Sequence, residues 1–173
     1  MESIGHNLRG MYRDTLFNSE NRLVFDSGWT SNTIVNNCRV LLASFMKGEW
    51  DAGISYMKVG KGSDTWSGIP VQPDVNQTDL LDAYLETIPI SSASIEYLDV
   101  DNASTSTTGP TNRLEIKVSL DKGFPNKTGI SNLREFGLFS KRNKDELMIN
   151  CVNHPLIQKE ETDTLIRVIR LIF

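Results

Sequence analysis

Asn132-Leu-Arg-Glu-Phe-Gly-Leu-Phe139, then Leu147-Met-Ile-Asn-Cys-Val152, then Thr164-Leu-Ile-Arg-Val-Ile-Arg-Leu-Ile-Phe173: these three runs decide the fold class. Each is strand length, rich in β-branched and aromatic residues, and bounded by turn material, which predicts consecutive β-strands. The last is apolar on both faces. Ile166, Val168 and Ile172 fall on one, and Leu165, Ile169, Leu171 and Phe173 on the other. A strand of that kind is expected to be covered on both sides, by the rest of the chain or by a partner subunit.

Working outward, Met11–Phe17 and Arg22–Asp26 flank the polar turn Asn18-Ser-Glu-Asn21 and read as an amino-terminal β-hairpin. Residues 33–47 read as the one helix. Ile34, Val35, Cys38, Leu41, Leu42, Phe45 and Met46 form an apolar stripe at helical period, with Ser31, Asn32 or Thr33 available as a cap and Gly48 as the stop. Gly53–Val59 is a strand. Residues 60–79 have no clear periodicity and form a long loop holding Trp66, Pro70 and Pro73. Asp79–Leu85 suits a short helix. Ser94–Val100 and Arg113–Leu120 read as a strand pair joined by a small, polar, mobile tip over 101–112.

These segments specify a mostly-β (α+β) chain. The expected architecture is an antiparallel β-sandwich-like domain, with the amino-terminal hairpin and one amphipathic helix packed on it. At 173 residues it reads as a single domain, 1–173: hairpin plus helix in 1–50 and the sandwich-like part in 51–173.

The net charge of −4 argues against generic nucleic-acid binding, which wants a basic face. No apolar run approaches the roughly 18 residues of a membrane span, and no signal peptide is visible, so neither membrane insertion nor secretion is expected. Cys38 and Cys151 sit in unrelated settings and read as two buried reduced thiols. Asn76, Asn102 and Asn126 match the glycan acceptor pattern by chance.

Chemistry-bearing patterns are sparse. Gly60-Lys-Gly-Ser63 lacks both the spacing and the following helix of a phosphate loop, and reads as a turn at a strand end. His6 lies near the amino terminus. His154, before Pro155, is placed between two strands, with Cys151 expected on the opposite face. Asp99 and Asp101 are too few oxygens for a calcium loop, and no zinc spacing exists. Glu86, Glu96, Glu115 and Glu135 form no acid/base couple that the sequence favours. No catalytic, metal or cofactor-binding residue is assigned. Trp29, Trp50 and Trp66 each lie beside a turn and carry two readings, a cap on the core or an anchor in a subunit contact. With Phe173 they are the candidate interface residues, Trp66 foremost.

With these pieces laid out, the chain resembles a family of structural proteins from tailed phages and phage-derived contractile injection machines. Ile54-Ser-Tyr-Met-Lys-Val-Gly-Lys-Gly62 looks like their strand followed by Val/Leu-Gly-x-Gly, and Pro70–Leu85 like their proline-bearing loop and acidic-leucine segment. Leu133-Arg-Glu-Phe-Gly-Leu-Phe139 is similar to their Glu-x-Gly-Leu-Phe strand. Leu147–Asn150, Asp163-Thr-Leu165 and the apolar last strand complete the order. The likeness covers roughly residues 50–173. It departs at the basic Lys141, Arg142 and Lys144, and at the Asp101–Pro110 insertion. The resemblance implies a non-enzymatic part of a tail, neck, baseplate or fibre attachment. It implies a place in the virion tail after assembly in the bacterial host cytoplasm. Copies of the chain (a homo-oligomer) and other particle proteins would be its partners. Against this stands a binding module for a glycan or cell-wall polymer, for which loop tryptophans supply stacking faces.

Overall fold

A computed structural model describes residues 8–66, 68–102 and 109–173. Ten strands and one α-helix follow in the order β1 (Arg9–Phe17), β2 (Leu23–Asp26), β3 (Thr30–Ile34), α1 (Asn36–Lys47), β4 (Tyr56–Gly60), β5 (Ile88–Pro89), β6 (Ile95–Tyr97), β7 (Arg113–Leu120), β8 (Ile130–Arg142), β9 (Asp145–Glu160) and β10 (Thr164–Ile172). One 3₁₀ turn, Ser92–Ser94, precedes β6. The strands form one antiparallel sheet in the order β5-β4-β8-β9-β3-β1-β10-β7-β6, with β2 beside β1 off that path. The mostly-β class, the hairpin and the helix expected from the sequence are present.

The sheet curls at β3, which pairs with β1 through residues 30–32 and with β9 through Thr33 and Ile34. Its two halves thereby face each other. Tyr12, Ile116, Leu165 and Ile169 from one half share a core with Met57, Leu133, Phe136 and Leu138 from the other. Tyr12 meets Phe136 edge-on at 5.2 Å between ring centroids. Each such side chain contributes roughly 1.5–3 kcal/mol when fully buried. A second, smaller cluster of Val35, Tyr56, Leu80, Phe139, Met148 and Cys151 lies on the outer face of β4, β8 and β9, under the segment that carries Leu80. That is why alternate residues of β4 are buried on both sides.

Four expectations change. Residues 30–34 are strand, so the helix begins at Asn36 and none of Ser31, Asn32 and Thr33 caps it; Val35 stands at that position without a side-chain bond. The ladders of β3 claim Ser31, Asn32 and Thr33, and the Asn36 N–H donates instead to Val75 O at 2.7 Å. Gly48 does end the helix, left-handed at φ 76°, its N–H bonded to Phe45 O. Residues 79–85 are not helical, because their amides are spent on tertiary partners. His154-Pro155 is inside β9, where the register to β8 shifts between Leu133 and Glu135; a bulge tolerates the missing N–H of proline. The last strand buries Leu165, Arg167, Ile169 and Leu171 fully, while Ile166, Val168 and Ile172 remain half-buried. On that outer face Val168 lies between Arg13 and Lys117, whose apolar stems can lie along it. Residues 103–108, half of the expected tip over 101–112, and His6 lie outside the described residues.

Candidate functional site

The irregular stretch from Lys61 to Thr87 holds no helix and no strand among its described residues, yet it is fixed in place. Its anchor is Glu135, which is wholly buried. The carboxylate accepts from three backbone amides: Gly62 at 3.2 Å, Leu81 at 2.9 Å and Asp82 at 2.7 Å. Gly60 permits this approach, since a Cβ there would meet Glu135 Oε1 at 2.4 Å and Asp82 O at 2.7 Å. The Lys61 N–H donates to Asp82 O, and the Tyr84 N–H to Val59 O. Farther along, Asn153 Nδ2 donates to Val71 O at 2.7 Å, and Asn36 Nδ2 to Asn76 Oδ1 at 2.8 Å. Lys58 binds Asp79 at 3.0 Å and Glu146 at 2.6 Å while lying over the Phe139 ring, and Tyr56 donates to Glu146 as well. Burial pushes the Glu146 carboxyl up.

Leu80 and Tyr84 of this stretch turn inward, but five of its apolar side chains point the other way. Ile69 is 87 % exposed, Val71, Val75 and Leu81 are exposed, and Leu85 is wholly so. These are apolar groups held in water on a backbone that is already ordered.

A second feature is a cleft of about 480 Å³ between α1, β6 and the end of β10. Leu41, Phe45, Ile95, Tyr97, Leu171 and Phe173 wall it, and no Asp, Glu, Lys, Arg or His lines it. Phe173 is thus at the cleft, its N–H bonded to Asn112 O and its carbonyl accepting from Asn112 Nδ2. Trp66 is half-buried and leans on Gly62, where an added Cβ would meet the ring at 2.5 Å. Trp50 packs on the main core, and its Nε1 donates to Ser140 Oγ at 2.8 Å and Ala52 O at 3.0 Å. Trp29 is 37 % exposed, with the Arg170 guanidinium 4.2 Å over its ring. The four candidate residues do not converge on one surface feature, and the exposed apolar run from Ile69 was not singled out in the sequence.

The ionisable cluster in the core was missed as well. Asp14 and Arg167 face each other across the β1–β10 register, both wholly buried, in a bidentate pair with two 2.7 Å bonds. The guanidinium lies 3.7 Å from the Phe136 ring centre. His154 accepts at Nε2 from Arg167 (3.3 Å), and its Nδ1–H donates to Pro155 O. Burial first, and the Arg167 charge second, push the His154 pKa down to about 4. Held neutral and hemmed in by Tyr12 and Phe136, the imidazole is a packing and hydrogen-bonding group. Cys151 belongs to the outer cluster, on the other side of β9. Both cysteines are free and buried; burial pushes Cys38 up to about 11 and Cys151 up to about 12. Glu96 and Glu115 fall opposite each other on β6 and β7, and Glu115 is bound to Arg170 at 2.8 Å. Among the described residues no group of three or more His, Cys, Asp or Glu is placed to hold a metal ion, and no helix is long and apolar enough to cross a membrane.

No family model, curated protein or solved structure matches this chain.

Proposed function

We propose that this chain is a structural subunit of a phage tail or related contractile particle, working through surfaces that fit neighbouring copies and other particle proteins. The observation that carries this reading is the stretch 68–86: its backbone is pinned by Glu135, Asn153 and Asn36, while Ile69, Val71, Val75, Leu81 and Leu85 face water. Each exposed apolar side chain forgoes roughly 1.5–3 kcal/mol that a covering surface would return. Because the backbone is already ordered, little conformational entropy is left to lose on contact, and that favours tight association. The likeness of Glu135-Phe-Gly-Leu-Phe139 to tail-protein strands agrees, since in this chain that Glu is the residue that fastens the outward-facing segment.

The test is to purify intact particles from the source of this chain and identify their proteins by mass spectrometry, with sedimentation of the tagged chain alongside. The chain is expected in the particle fraction at stoichiometric level. Recovery only in the particle-free supernatant, with no particle protein attached, overturns the reading.

A further inference from the structure

The pinned run and the apolar cleft fit each other in kind but lie on different sides of one molecule. The run's flank, from Ile69 to Pro73, lies beside Cys151, a member of the outer cluster on β9. The cleft opens on the inner side beside Ile149 and Leu171, members of the main core. While Asn153 and Asn36 hold Val71 and Val75, the run stays on its own side of β9.

The run has the form of a ligand. Ile69, Val71 and Val75 are exposed at spacings of two and four along a non-helical segment, and Pro70 and Pro73 fix φ at two of its positions. The cleft has the form of a receptor. Its volume lies in the range of sites that enclose small apolar groups, roughly 300–1,000 Å³. One wall ends in β6, the last strand of the sheet. Charge gives the pairing a direction: Asp74 is the one charged residue of the run, α1 on one wall carries Arg39 and Lys47 with no Asp or Glu, and Glu96 lies on the β6 wall, so the acidic end of the run falls toward α1.

We infer that the cleft receives the Ile69–Val75 run of a second copy of this chain, so that copies join head to tail. Such a contact uses two different patches and propagates to a ring when the rotation closes, or to a filament when it does not. The inference rests on the assembly reading above and names its partner.

Two variants separate the patches. Ile69→Asp with Val71→Asp spoils the run, and Phe45→Asp with Tyr97→Asp spoils the cleft; all four positions are exposed, at 36 % or more, so the fold tolerates them. Sedimentation equilibrium over a range of concentrations reads the result, with circular dichroism confirming the fold. The wild-type chain is expected to form assemblies larger than a dimer. Each variant alone is expected to self-associate roughly thirty-fold or more weakly. An equimolar mixture of the two is expected to give one-to-one heterodimers that grow no further, since one good patch of each kind remains. A wild-type chain that stays monomeric overturns the inference, as do assemblies that survive both double variants. A monomeric chain that still sediments with particles sinks only the head-to-tail contact and leaves the structural-subunit reading standing; a monomeric chain absent from particles sinks both.

Discussion

Asp14 and Arg167 illustrate how a charged pair becomes tolerable in a β core. Each occupies a core-facing position on its strand, and the register sets them directly opposite. Two charge-assisted bonds satisfy the carboxylate, while Arg167 Nη1 is left without a partner. Asp14→Ala is expected to cost about 3–5 kcal/mol, because it strands a buried cation. Urea unfolding measures this, and the double change Asp14→Leu with Arg167→Met should recover most of the loss. The neighbouring imidazole adds a pH dependence. An ordinary histidine titrates at 6.5 and His154 at about 4, so the fold binds it neutral. The stability this brings is complete above pH 6.5, declines as pH falls, and is gone below about 4, about 3 kcal/mol in all. Urea midpoints taken between pH 4 and 7 should fall with acid in the wild type, with a clearly flatter slope in His154→Gln. An unchanged slope would refute the assignment. The buried pair was legible in principle, since charges at apolar-parity positions in two strands call for each other. What the sequence lacked was the register that brings residue 14 to residue 167.

Among the elements, strands and the hairpin were readable because alternation and turn residues are local. The helix was readable in its stripe and its Gly48 stop, but its start was not. Ser31, Asn32 and Thr33 suit a cap as well as a strand, and only the β1 and β9 partners decide between them. For the same reason Asp79–Leu85 looked helical: the acceptor that unwinds it, Glu135, lies more than fifty residues away. Glu135→Ala removes three amide partners at once and is expected to destabilise the chain by about 3 kcal/mol or more. It should also open residues 61–82 to limited proteolysis under conditions where the wild type resists. Equal digestion rates would show that Glu135 does not fasten the segment. The thiols follow from their elements too. Cys38 faces the core from α1 and Cys151 the outer cluster from β9, so a thiol reagent at neutral pH should react with neither in the native chain and with both in urea.

At the scale of the whole molecule, a small strand carries a large topological role. β3 is five residues long and is the seam about which the sheet doubles over. The curl that brings the halves together depends on pairings the sequence does not advertise, and the cleft beside α1 exists only once they are made. Of the four residues expected at an interface, Phe173 alone lies at that cleft, and neither the cleft nor the exposed run was legible as a place. The strand order has one more consequence. β1 finds its long partner in β10, and the Asp14–Arg167 bond spans 153 residues. During translation the hairpin must wait for this neighbour until about 150 further residues have emerged. Interrupted products therefore cannot reach a partly native state that keeps this pairing. They leave an open sheet margin, prone to clump or to be degraded.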